Sequence, residues 1–162
     1  MPDLFTRTIP VVQLRRLDFL LGESTGIQIL HPPGLPTVQC PAIYSGTRED
    51  CERFLKIDFF CEMPGFGIDT YRALTTWSDK QQCYRTWVFC ASKEEPMYME
   101  GNLEDDRLVM VSDPWPMPWG LQRVRSVFTP LEDGGMRYVA DFWQPEGYHT
   151  YCTITFNPLG AG

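Results

Sequence analysis

IDTYRALTTWSDKQQCYRTWVFCA, residues 68–91, is the stretch whose reading decides the fold. Two runs rich in aromatic and β-branched residues, 68–77 and 83–91, flank a short polar turn that starts at Ser78. Such runs suit a pleated, half-buried strand. The connection is far too short for a parallel crossover, which needs a dozen or more residues. The segment therefore predicts an antiparallel hairpin.

The same grammar extends from Gly22 to the end of the chain. Further turn signals stand at HPPGLP (31–36), REDCE (48–52), EMPGFG (62–67), SKEEP (92–96), EDD (104–106), DPWPMPWG (113–120), EDGG (132–135) and PEG (145–147). Between them lie short strand-like runs such as RLVMVS (107–112), MRYVADFW (136–143) and YHTYCTITF (148–156). In EDGG a glycine suits the left-handed position of a bulged hairpin. The count of turns implies about ten strands in up-and-down order. A meander of that length leaves two unpaired edges unless it closes, so the predicted fold is an all-β, antiparallel β-barrel. One domain over residues 1–162 is expected.

Ahead of the strands, PVVQLRRLDFLL (10–21) carries the chain's one helical period. Val11, Leu14, Leu17 and Leu21 recur at three- and four-residue steps. Pro10 suits a first helical position and Gly22 a stop. The expectation is a single short amphipathic helix over 10–21 that closes something hydrophobic.

Composition narrows the function classes. The net charge of −7 disfavours a nucleic-acid partner and a membrane surface. No apolar run reaches the roughly 20 residues of a membrane helix. MPDLFTRTIP (1–10) lacks the layout of a signal peptide, so a cytoplasmic protein is expected. The six cysteines, Cys40, Cys51, Cys61, Cys83, Cys90 and Cys152, form no C-x-x-C pair. They are expected as buried, reduced thiols, with neither metal nor cofactor. No phosphate-binding glycine loop, nucleophile elbow or zinc-protease motif occurs.

Strand faces suggest a partly polar interior. One face of residues 66–77 reads Phe66, Ile68, Thr70, Arg72, Leu74 and Thr76, and the other Asp69, Tyr71, Ala73, Thr75 and Trp77. In LQRVRSVF (121–128), Arg123 and Arg125 share a face with Leu121 and Val127. A barrel of this size either fills its interior with side chains or holds one small ligand, and mixed faces favour the ligand. SDPWPMPWG (112–120) holds three prolines and two tryptophans, and proline forbids a helix or a central strand there. It reads as a stiff aromatic rim at the barrel mouth, with at least one indole facing inwards.

LRRLDFLLGESTG (14–26), RSVFTPLEDGGMRYVADFW (125–143), TWSDKQQCYRTWVFCAS (76–92) and MEGNLEDDRLVM (99–110) together resemble an uncharacterised family of lipocalin-like proteins. That family opens with a short helix and a Leu-x-x-Leu-x-Gly-x-Trp-x-Gly segment, whose tryptophan is Ser24 here. The family is similar to the ten-stranded calycin barrels, among them fatty-acid-binding and nitrobindin-type haem proteins. The resemblance implies a small hydrophobic ligand inside the barrel. His149 is the late histidine that a haem barrel would use, but the glycine-tryptophan-glycine opening that goes with it is broken at Ser24.

The expected function is binding of a small hydrophobic or amphipathic molecule in the barrel. Tyr71, Trp87, Trp115, Trp119, Trp143 and Tyr148 are expected to enclose it, and Arg125 to meet a polar head group or else to pair with Asp141 or Glu100. A small-barrel enzyme of isomerase, cyclase or lyase type is the alternative. It calls for an inward carboxylate or tyrosine with no ion-pair partner, from a set including Asp69, Tyr71, Arg85, Glu100, Asp141, Tyr148 and His149. A filled barrel serving structure or protein interaction is the third reading. A homodimer stays open.

Overall fold

The computed structural model describes residues 11–160 apart from 50, 51, 64–66 and 118. Pro10, Cys51, Phe66 and Pro118 therefore lie outside the described residues, as do the side chains of Val11 and Met63. Ten strands follow a short helical segment: β1 (Gly22–Leu30), β2 (Val38–Glu49), β3 (Phe54–Met63), β4 (Gly67–Ser78), β5 (Cys83–Cys90), β6 (Met97–Glu104), β7 (Arg107–Met117), β8 (Gly120–Pro130), β9 (Met136–Gln144) and β10 (Gly147–Pro158). Each strand pairs antiparallel with its sequence neighbours, and β10 pairs with β1 to close the barrel. The up-and-down barrel read from the turn signals is the observed fold. At the EDGG turn Gly134 takes φ +82°, the left-handed position expected of a glycine there.

The helical reading needs correction. In place of one helix over 10–21, α1 spans Val11–Arg15 and a separate 3₁₀ turn spans Asp18–Leu20. The backbone bonds from Arg16 to Gln13, Leu17 to Leu14, Leu20 to Leu17 and Leu21 to Asp18 all run i to i−3. A three-residue period eclipses side chains three apart. The buried stripe is accordingly Leu14, Leu17 and Leu20, each 0–1% exposed, while Leu21 is 37% exposed.

That stripe plugs one end of the barrel, the plugged end. Tyr44 and Tyr84 donate their hydroxyls to the carbonyls of Leu20 and Gln13, both at 2.6 Å. Gly46 lies so close that a Cβ there would stand 1.8 Å from the Leu20 carbonyl oxygen. Arg48 pairs with Asp18 across the same junction. Inside, Tyr44, Phe59 and Phe156 pack ring on ring. No described helix is long and apolar enough to cross a membrane.

At the opposite, far end the strands turn without a described helix. Pairing of β6 with β7 stops at Ser112, whereas β7 stays paired with β8 out to Met117. Beyond Ser112 the β7–β8 hairpin thus has a free edge. The expectation that proline bars a helix or a central strand at 112–120 agrees with this edge position, but the connection expected there is instead a continuation of β7 to Met117. Pro114 and Pro116 sit in β7, at an edge where a missing N–H costs no ladder bond. A register shift between Val111 and Pro114 starts the extension, and Ser112 Oγ accepts the Val124 N–H at 2.8 Å.

Candidate functional site

Alternation along each strand decides which side chains meet inside. On β4, Asp69, Tyr71, Ala73, Thr75 and Trp77 point inwards, so the second of the two faces in the sequence is the interior one. Gln28 on β1 lies opposite Cys40 on β2, Cys61 on β3 opposite Asp69, and Tyr71 opposite Cys90 on β5. Cys152 on β10 joins them through Gln28. These residues form one polar and sulfur-rich patch in the interior towards the far end.

Asp69 is its centre. The side chain faces the interior and the residue is 7% exposed. Its Oδ2 accepts the Tyr71 hydroxyl at 2.7 Å, and its Oδ1 accepts the Thr70 N–H at 3.0 Å and the Cys90 thiol at 3.5 Å. No Lys, Arg or His pairs with it among the described residues. Burial, followed by the neighbouring Cys90 thiol and the bond to Asp69, raises the Tyr71 phenol far above its ordinary range. Tyr71 is thus a neutral donor.

Three of the patch's thiols, Cys40, Cys61 and Cys152, are protonated as well. Desolvation pushes Cys61 and Cys152 each up to about 12 and raises Cys40. Gln28 bridges two of them, accepting from Cys40 Sγ at 3.6 Å and donating to Cys152 Sγ at 3.5 Å. The five described cysteines are all free and buried, as read from the sequence. Among the described residues no group of three or more His, Cys, Asp or Glu side chains is placed to hold a metal ion. Neutral thiols are soft and only weakly polar, and a protonated thiol is a poor nucleophile.

Aromatic side chains surround the patch. Phe59 and Tyr71 stand 5.6 Å apart, centroid to centroid. Trp119 packs on Phe142 at 5.6 Å and on Tyr151 at 6.1 Å. Its indole N–H is buried without an acceptor, the only such side-chain nitrogen or oxygen among the described residues. Trp115 lies in register with Gln122, on the inward face of β8, and is 9% exposed. Burial raises the Tyr151 hydroxyl far above the usual phenol range.

Tyr71, Trp115 and Trp119 are therefore brought to the far-end interior or its rim. Trp87, Arg125, Trp143 and Tyr148, expected as interior enclosure and head-group contact, lie on the outer surface instead. Arg125 forks onto Asp141 Oδ2 at 3.0 and 2.6 Å, and its guanidinium stacks 4.3 Å from the Tyr148 ring centroid. Thr150 donates to the other Asp141 oxygen, and Trp143 packs edge-on against Tyr148. Trp87 meets Tyr98 and Arg85 on the outside, where Tyr98 also donates to Glu100. The ion pair with Asp141 was the other reading of Arg125, and it is the observed one.

Tyr148 is misplaced in the sequence reading for a specific reason. A bulge between Thr150 and Cys152 shifts the register of β10. Cys152, Ile154 and Phe156 face inwards, and Tyr151, the extra residue of the bulge, joins them, while Tyr148 and Thr150 face out. His149 is exposed at the rim, 3.9 Å from Glu146. Gln28, Tyr151 and the thiols are the residues that reading the sequence missed as site members. A lone polar residue on an apolar strand face, such as Gln28 between Gly26 and Leu30, is the signal that was there to find.

An outer groove of about 470 Å³ runs along β3, β4 and β5, lined by Phe60, Arg72 and Phe89 among others. Its main charges, Arg72 and Asp58, already pair at 2.6 Å. Its lining reaches Tyr71 and Cys90, where the groove meets the edge of the interior patch. The chain matches no protein-family model and no curated protein. The closed ten-stranded antiparallel barrel is consistent with a calycin-like architecture.

Proposed function

We propose that the far-end interior of the barrel binds a small hydrophobic or amphipathic molecule. The observation that carries this reading is the contrast within the interior. Tyr44, Tyr84 and Phe156 are 1–3% exposed near the plug, whereas Phe59, Tyr71 and Tyr151 keep accessible surface beside a buried carboxylate. A core that served only stability would gain nothing from a desolvated carboxylate, whose burial is costly. Thiols, aromatic rings and a few convergent polar groups make the lining typical of small-molecule pockets.

Native mass spectrometry of the protein from its own host, with extraction of anything bound, tests this. A discrete bound molecule supports the reading and gives the ligand class. A clean unliganded mass, together with no change in tryptophan fluorescence across a panel of apolar probes, points to a filled, structural barrel.

The Tyr71–Asp69 hydrogen bond favours a second reading, a small-barrel isomerase, cyclase or lyase. A neutral phenol on a carboxylate that lacks a cation is a proton donor and acceptor side by side. The three donors already on Asp69 favour binding over this alternative. If the extracted molecule is recovered as a mixture of two isomers whose ratio Tyr71→Phe changes, the enzyme reading gains.

A further inference from the structure

The charge pattern of the interior says more about the ligand than its apolar lining does. Asp69 is the only acidic side chain on an inward strand position among the described residues. The inward strand positions hold one described arginine, Arg48, which sits at the plugged end and is taken by Asp18. The other strand arginines and Lys56 lie on the outward register. His149 is in register with inward-facing Phe142, but its side chain is 47% exposed at the rim, 3.9 Å from Glu146. Among the described residues, the far-end interior therefore holds one carboxylate and no Lys or Arg, with His149 exposed at its rim.

The carboxylate is also not saturated. Two carboxylate oxygens offer about four acceptor sites. Three donors reach them: the Thr70 N–H, the Tyr71 hydroxyl and the Cys90 thiol, whose one hydrogen is shared between Oδ1 at 3.5 Å and Oδ2 at 3.8 Å. Ser92 Oγ stands 3.0 Å from the Cys90 sulfur, and either atom can donate to the other. A charge with a vacant acceptor site in a low-dielectric interior attracts a cation far more strongly than it would in water. Aromatic faces beside it, Phe59 and Tyr71, add cation–π attraction. The chain's net charge of −7 draws the same sign of ligand from solution.

We infer that the ligand of this site is an amine, bound with its ammonium group on the Asp69 carboxylate and its apolar body against the rings and thiols of the far-end interior. The inference rests on the reading that the interior binds a small molecule, and it excludes fatty acids and other carboxylates as ligands. An alkanoate head group would place a second negative charge beside Asp69 with no cation between them.

Calorimetric titration of the full chain at pH 7.5 with decylamine, decanol and decanoate tests it. The three probes share one tail and differ in charge, and the amine is protonated at that pH, as an alkylamine of lysine type is. Decylammonium is expected to bind at least ~10-fold more tightly than decanol, with decanoate weakest, a ratio that one well-placed charge pair supplies. Asp69→Asn should bring decylammonium down to decanol and leave decanol where it was. Tyr71→Phe keeps the charge, opens a second acceptor site and should keep the amine preference, so it serves if Asp69→Asn does not fold. Decanol binding as tightly as the amine in the native chain overturns the inference while leaving interior binding intact. So does loss of the preference in Tyr71→Phe, because the phenol would then be its source. No binding of any of the three overturns interior binding and the amine together.

Discussion

At the plugged end three leucines fill the barrel and two phenols close on backbone carbonyls. At the far end a carboxylate, a phenol and several thiols face the interior beneath Trp115 and Trp119. Every polar group of the first set is bonded to a partner fixed by the fold. The second set keeps a vacant acceptor site at Asp69 and an unpartnered N–H at Trp119. The lesson is that one chain divides its barrel, giving stability to one end and unmet polar capacity to the other. The two should then respond separately to perturbation.

Alkali is the strongest perturbation. The buried Tyr44, Tyr71, Tyr138 and Tyr151 phenols and the Cys61 and Cys152 thiols all have raised folded values, with the thiols at about 12. Unfolded, they release their protons near pH ~8.5 for a thiol and ~10 for a phenol. A raised folded value means stability that is fully present below the unfolded value and is lost as pH climbs towards the folded one. Unfolding should therefore begin above pH ~9 and be complete near ~12, with phenolate absorbance and near-ultraviolet circular dichroism changing together. Phenolate absorbance from two tyrosines that appears near pH ~10 with the fold intact would break the comparison differently. It would mean that water reaches Tyr71 and Tyr151 freely, and that the far end is open to solvent.

Leu17→Ala comes next. The side chain is fully buried against the barrel floor, and its truncation should cost about 2–5 kcal/mol in urea unfolding. Affinity for an interior ligand, measured on the protein that remains folded, should stay the same. A matching loss of affinity would show that the plug shapes the pocket, and the division into two ends would fail.

Much of this was legible in the chain. Hairpin turns and aromatic runs carry strand order, because antiparallel neighbours need only local sequence to find each other. Faces are harder. Asp69 and Tyr71 share a face in any unbroken strand, and they do so here. Tyr148 and Cys152 would share one as well, but the bulge at Thr150–Cys152 changes the face between them. A bulge inserts one residue without a composition signal, so Tyr148 was placed inside. Arg125 was ambiguous for another reason. Its partner Asp141 is on the next strand, and whether the arginine face of β8 looks inwards or outwards depends on the burial of Val124 and Ser126 on the opposite face, not on the arginine itself. Pro114 and Pro116 hid a strand because the rule against proline holds for central strands, and sequence does not say where the neighbouring strand stops.

Trp115→Ala should act mainly on the other end. The residue lies beyond the last rung shared by β6 and β7, where the hairpin can open locally without the barrel. Its stability cost should stay below that of Leu17→Ala, while ligand affinity falls ~10-fold or more through lost apolar contact. Equal losses of stability in the two variants, with unchanged affinity, would make the β7–β8 extension a second plug.

The smallest effect on stability is expected from Trp119→Phe, and it separates the two ends most sharply. Burying an indole N–H without an acceptor costs about 1–3 kcal/mol, and phenylalanine removes that cost. It also surrenders the second ring's packing on Phe142 and Tyr151, which lie 5.6 and 6.1 Å away by centroid. The two terms oppose each other, and the net change should stay within about 1 kcal/mol. Affinity is the discriminating readout. If a bound molecule supplies the acceptor that the fold withholds, Trp119→Phe weakens binding although the protein is as stable as before. Weaker binding at equal stability would tie the unpartnered N–H to the ligand. Unchanged binding with a small gain in stability would make Trp119 a packing lid, and the unmet capacity of the far end would then reside in Asp69 alone.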